Sequence, residues 1–173
     1  AGCRVFLPGR RAEPLEETAQ AIREKGGTVF VEPLDVADAD AVEALGARIA
    51  EQHGTVDILI NNAGINVPKR HWPDLTREAW DSVIQIDLNG AFYCTQAVLP
   101  GMRAQREGLV INVSSWAGVR VSFLTGPAYT AAKHAMNAMT ESLNMEECIN
   151  GIRGCAICPG EVSTPIMDKR PIP

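Results

Sequence analysis

Val56-Asp-Ile-Leu-Ile60 runs directly into Asn61-Asn62-Ala63-Gly64. An apolar, β-branched run that stops in two amides, a small residue and a glycine reads as a strand ending in a tight turn. Four further runs of the same character flank it, Cys3 to Leu7, Thr28 to Glu32, Leu109 to Val113 and Gly154 to Cys158. Their continuous apolar composition suits strands covered on both faces. Helical stretches separate them. Leu15, Ala19 and Ile22 follow helical spacing before Gly26-Gly27, and Asp38 is placed to cap a helix with Val42, Leu45 and Ile49 inward and Gly54 closing it. Thr76 can cap a long helix, with Leu75 and Trp80 placed as a hydrophobic staple, and a last long helix carries Tyr129 and Lys133 and stops at Asn150-Gly151. Alternating strand and helix predicts an α/β fold, a doubly wound parallel sheet in three αβα layers.

The remaining composition narrows the class. The 173 residues are 46% hydrophobic and 21% charged, with a net charge of −5, an ordinary globular balance with no electrostatic footprint for a polyanion. The basic pairs Arg10-Arg11 and Lys69-Arg70 are too short to change that, so no nucleic-acid partner is expected. No run approaches the ~18 apolar residues of a spanning helix, so no membrane partner is expected and the protein reads as cytoplasmic. Five cysteines, an odd and scattered set, read as free thiols. Cys155 and Cys158 form a C-x-x-C inside an apparent strand and read as small core side chains rather than redox or metal ligands. His53, His71 and His134 show no metal-ligand spacing, and no metal is assigned.

Three segments carry chemistry. Tyr129-Thr-Ala-Ala-Lys133 places a phenol and an ammonium four residues apart on one helix face. A phenol ordinarily titrates near pH ~10, and a close cation lowers that value, which suits proton exchange with an alcohol oxygen. Ile111-Asn-Val-Ser-Ser115 ends a strand in two hydroxyls at the carboxyl edge of a parallel sheet, where ligands bind. Ser115 there can donate to a carbonyl oxygen, or it is simply a turn hydroxyl. Asn62, Ala63 and Gly64 can wall a flat cofactor, and Asp35-Val36 offers a carboxylate and an apolar contact for adenine. Each segment alone is weak evidence.

In order and spacing, Asp35, Asn61 to Gly64, Ser114-Ser115, Tyr129 to Lys133 and Pro159-Gly160 with Thr164 together resemble the short-chain dehydrogenase/reductase family over nearly the whole chain. The resemblance implies an NAD(P)-binding Rossmann-like fold and a secondary alcohol or ketone as small-molecule substrate. It implies Tyr129 as the proton donor and acceptor, Ser115 orienting the carbonyl and Lys133 tuning the phenol while holding the nicotinamide ribose. Pro159, Gly160, Val162 and Thr164 would contact the nicotinamide end. A homodimer or homotetramer packed through the two long helices is also implied. Where NAD-preferring relatives present an acidic residue after the first strand, this chain has Gly9 followed by Arg10. A guanidinium suits a 2′-phosphate, so NADP is expected over NAD.

Two departures from the family follow. The chain opens at what resembles the family's second strand, lacking the first strand and its Gly-rich turn, and it stops at Pro173. The expectation is an incomplete single domain spanning 1–173, part of a chain of about 250 residues, with a central gap between the strands starting at Cys3 and Val56. Asp87 stands where the family usually has Asn as a fourth catalytic member. A carboxylate there could pair with Lys133, blunting its pull on Tyr129 and raising the phenol's pKa. A noncatalytic nucleotide-binding scaffold and an inactive fragment are the competing readings. Trp116, Val119, Val121 and Phe123, with His71 to Asp74, suggest an apolar substrate wall.

Overall fold

The structure, a computed structural model, describes residues 2–162. Five strands alternate with helices: β1 (Arg4–Gly9), α1 (Ala12–Glu24), β2 (Thr28–Pro33), α2 (Ala39–His53), β3 (Ile58–Asn61), α3 (Arg77–Ile84), α4 (Gly90–Gln105), β4 (Gly108–Val113), α5 (Pro127–Glu147) and β5 (Ile152–Ile157). All paired strands are parallel, and β1 pairs with β2 while β3, β4 and β5 form a second sheet in that order. Among the described residues β1 and β3 do not pair with each other, in keeping with the gap expected between them.

The helix starts obey the local chemistry read from the sequence. Asp38 accepts the Ala41 N–H at 3.0 Å and Thr76 accepts the Ala79 N–H at 3.2 Å, each satisfying a donor that has no partner inside the helix. Leu75 and Trp80 pack against one cluster, built on Val83, Ala128 and Ala132. Gly151 ends the last helical turn at φ 74°, in the left-handed region. Val42, Leu45 and Ile49 of α2 are buried with Leu34 and pack against α4 through Tyr93, Cys94 and Ala97. Met102, Val110 and Ile152 hold α4 to the β3–β5 sheet.

The structure corrects four expectations. The helix beginning after Thr76 is not uniform: Gln85–Asn89 is a π-helical turn joining α3 to α4. Such a turn inserts an extra residue into the helical ladder and re-aims the side chains it carries. The strands of the second sheet are not covered on both faces, since Ile58, Ile60 and Ile157 are 51%, 58% and 46% exposed. Only the face toward α4 and α5 is packed. Cys155 is exposed and Cys158 half-buried just beyond β5, so this pair is not a core pair, although both are free thiols as expected. Strand boundaries shift by about two residues, β3 starting at Ile58 and β5 at Ile152.

Candidate active site

Each predicted segment emerges at the carboxyl end of a parallel strand. Arg10 follows β1, Asp35 and Val36 follow β2, Asn62 to Gly64 follow β3, Ser115 follows β4, and Pro159, Gly160 and Val162 follow β5. Thr164 lies outside the described residues. Val36 is seated against α4, where a Cβ added to Gly90 would lie 2.8 Å from its methyl carbon. Asn62, Ala63, Gly64, Gly160 and Val162 are exposed. Asp35 accepts the Ala37 N–H at 3.0 Å and stands 3.9 Å from the Arg10 guanidinium, with both side chains well exposed.

Three structural elements converge on Asp87. The π-helical turn carries it into the interior at 0% exposure. Oδ1 accepts the Ile65 N–H at 2.7 Å, from the loop following Gly64. Oδ2 lies 3.6 Å from Lys133 Nζ of α5, an ion pair too long for a good hydrogen bond, and among the described residues Oδ2 has no hydrogen-bond partner. A Cβ on Gly64 would sit 3.2 Å from that oxygen and 3.4 Å from Lys133 Nζ, so the glycine admits both groups beneath the turn.

Lys133 is 2% exposed and donates to the Val113 carbonyl at 3.1 Å. Its ammonium lies 5.4 Å from the centroid of the Tyr129 ring. The backbone around it is pinned. Ser114 donates to the Lys133 carbonyl at 3.2 Å, and Gly118 packs so closely that a Cβ would meet that carbonyl at 2.6 Å. Ser115 accepts the Ala117 N–H at 3.1 Å as the cap of a short 3₁₀ turn, so the turn-hydroxyl role anticipated for it is present.

Burial dominates the electrostatics. It pushes the Asp87 carboxyl up to about 6 against the opposing pull of Lys133 and the Ile65 N–H. Burial likewise lowers the Lys133 ammonium, with Asp87 opposing. The Tyr129 phenol is raised, first by burial and further by the Asp87 charge, while the Ser115 hydrogen bond works the other way. A phenol lowered by Lys133 was the expectation from spacing alone. The direction is the reverse, because the phenol is desolvated and the Asp87 charge adds to the rise.

Sequence reading missed a second feature, a chain of buried polar groups beneath the site. Asn61 Nδ2 donates to Asn112 Oδ1 at 2.8 Å, to Thr95 Oγ1 at 3.1 Å and to the Ala91 carbonyl at 3.3 Å. Asn112 Nδ2 in turn donates to Thr140 Oγ1 at 2.8 Å. The chain joins α4, β3, β4 and α5. The available signal was the asparagine at the same register of two adjacent strands, Asn61 opposite Asn112. Two amides in otherwise apolar strands call for buried partners.

A sequence profile described as short chain dehydrogenase matches residues 1–171. The chain belongs to the short-chain dehydrogenase family. Among curated members, it is 36% identical to an uncharacterized oxidoreductase of Bacillus subtilis over 168 residues, 97% of this chain and 61% of that protein. A metagenomic short-chain oxidoreductase solved in complex with NADP superposes with a TM-score of 0.87 at 31% identity, covering 93% of this chain and 71% of that one. An NAD+-bound xylitol dehydrogenase superposes at 0.89 and 30% identity, covering 95% and 63%. This short-chain dehydrogenase chain thus spans about three-fifths of the length of the curated relatives it matches. No helix among the described residues is long and apolar enough to cross a membrane.

Proposed function

We propose that this short-chain dehydrogenase interconverts a secondary alcohol and a ketone, using NADP(H) in preference to NAD(H), with Tyr129 exchanging the proton. One observation carries the reading. Tyr129 and Lys133 of α5 are held against the end of β4 that carries Ser114-Ser115, Lys133 donating to the Val113 carbonyl and Ser114 to the Lys133 carbonyl, next to Asp87. Residues able to hold the dinucleotide fit it. A Cβ on Gly160 would find nothing within 4 Å, so there is open space over that turn, and Asn62 to Gly64, after β3, are exposed. When bound, the nicotinamide supplies the hydride donor or acceptor.

The protein's own groups do the rest. Ser115 donates to the substrate oxygen and orients it toward Tyr129. Tyr129 gives its phenolic proton to that oxygen in reduction and takes it back in oxidation, and burial, which raises its pKa, favours the proton-donor form. Lys133 holds the ribose and steadies the charge on the phenol, and Asp87 limits how far it does so. Arg10 receives the 2′-phosphate, since a guanidinium forms bidentate hydrogen bonds to it. The substrate meets the exposed wall of Trp116, Val119, Val121 and Phe123, which favours an apolar molecule. Exposed Phe92 on α4 and Met145 on α5 support association of copies through these helices as a homodimer or homotetramer.

Tyr129→Phe tests the reading in the whole protein. Turnover of NADPH with a panel of ketones should be lost while NADPH binding stays within about twofold. A variant as active as the parent would remove Tyr129 from the chemistry. NADPH binding without turnover in the parent would favour the noncatalytic scaffold.

A further inference from the structure

The pair Lys69-Arg70 plays no part in the reading above, and the structure treats its two members oppositely. Lys69 is exposed, while Arg70 is 8% exposed. A buried guanidinium is costly to desolvate and persists where its donors are used. Arg70 Nε donates to the Val67 carbonyl at 2.9 Å, and Nη1 reaches across to the Leu124 carbonyl at 3.4 Å. One planar fork therefore ties together two loops far apart in sequence.

Those loops are the ones that lead out of and into the site. The first, 65–70, leaves Gly64. The second, 122–126, enters α5 two residues before Tyr129. Asn66 adds a parallel tie, donating from Nδ2 to the Thr125 carbonyl at 3.0 Å while its Oδ1 accepts the Val67 N–H at 2.8 Å. At Gly126, with φ 72°, a Cβ would overlap the Arg70 carbonyl, so the backbones approach as closely as glycine allows. Thr125 and Thr130 share a hydroxyl hydrogen bond of 2.8 Å, fixing the loop to the first turn of α5. Ile65 and Val67 pack in the same cluster as Tyr129 and Ala128. The Ile65 N–H is held by Asp87 and the Val67 carbonyl by Arg70.

We infer that Arg70, seconded by Asn66, is a positioning residue that sets the separation between the Asn62–Gly64 wall and the Tyr129 phenol. This inference rests on the proposed function for its kinetic consequences, but its geometric core does not. Lysine keeps the charge at position 70 but has no planar fork, so it cannot hold both carbonyls in fixed geometry. Loosening the fork lets the two loops part and admits water to the phenol. Small displacements of a reacting group can cost up to ~100-fold in rate.

The experiment compares Arg70→Lys and Asn66→Ala with the parent in the whole protein. Three readouts are taken: kcat and KM for a ketone with NADPH, the NADPH Kd, and the ultraviolet titration of Tyr129 obtained by difference from Tyr129→Phe. Arg70→Lys should lower kcat at least ~10-fold with the NADPH Kd within about twofold. It should also move the phenol titration down toward its ordinary range, because burial is the main cause of its elevation. A fall in melting temperature with kcat and the titration unchanged would show a merely structural arginine and overturn the inference. Should Arg70→Lys fail to fold, Asn66→Ala, which removes one cross-loop bond, is judged by the same readouts. If the parent shows no hydride transfer with any ketone, the proposed function fails, and the Tyr129 titration alone still decides for or against the clamp.

Discussion

Asp87 Oδ2 and Lys133 Nζ face each other at 3.6 Å in the interior, at 0% and 3% side-chain exposure, without closing to a hydrogen bond. Each is penalised by burial and each limits the other's penalty. Removing the carboxylate should therefore free the ammonium to act on Tyr129. Asp87→Asn should lower the Tyr129 pKa, and the alkaline limb of kcat/KM for ketone reduction should move to lower pH with it, since the donor form is lost sooner. A pH profile of kcat/KM, with the ultraviolet titration beside it, checks this; coincident curves for parent and variant would refute the coupling.

The same pair sets a stability dependence on pH. The Asp87 carboxyl titrates at 3.8 in its reference state and about 6 in the folded protein, so the folded chain holds this proton more tightly than the unfolded one. Its contribution is intact below about pH 4 and is lost as pH rises through about 6, a cost of at most about 3 kcal/mol. Asp87→Asn removes that dependence. The melting temperature of the variant relative to the parent should rise between pH 4 and pH 7, by roughly 2–4 °C for each kcal/mol. Thermal melts at both pH values decide it.

Lys133→Met leaves the Asp87 charge buried without its counterion. The loss of stability at pH 8 should be large in the parent, about 3 kcal/mol or more, and clearly smaller in an Asp87→Asn background. A double-mutant cycle by urea unfolding measures the difference. Equal losses in the two backgrounds would mean that the pair carries no coupling.

The Asn61–Asn112–Thr140 chain makes a contrasting forecast. Asn112→Ala removes two buried hydrogen bonds, at a cost of about 1–3 kcal/mol, although Asn61 keeps Thr95 and the Ala91 carbonyl and Thr140 keeps the Met136 carbonyl. Thr140→Val with Asn112 intact should cost less, about 1–2 kcal/mol, because one bond of the network is lost, the other being a bond from Thr140 to the Met136 carbonyl one turn back on the same helix. Denaturant midpoints at constant m-value test the ranking.

Arg10 tests cofactor choice. Arg10→Glu should weaken NADPH binding at least about tenfold, because a carboxylate repels the 2′-phosphate, and should leave NADH binding almost unchanged. Fluorescence titration with both dinucleotides reads the ratio. An unchanged ratio would place the selectivity elsewhere.

Much of this molecule is written in local chemistry. Strand and helix alternation, the Asp38 and Thr76 caps and the stop at Gly151 follow from side-chain periodicity and hydrogen-bonding capacity within a few residues, and such signals survive in a linear reading. The gap between β1 and β3 was legible too, because five apolar runs in that order resemble a family fold with a strand between the first and third of them. Tertiary structure decided what depends on distance and burial. The π-helical turn that swings Asp87 inward has no periodic signature of its own, and the direction of the Tyr129 shift depends on which of desolvation, Ser115 and Asp87 prevails. Arg70 reads in sequence only as half of a basic pair too short to bind a polyanion. Only the packing of two loops separated by more than fifty residues shows that its guanidinium donates to a carbonyl of each, since a hydrogen-bonding fork leaves no trace in sequence until its acceptors are brought into reach.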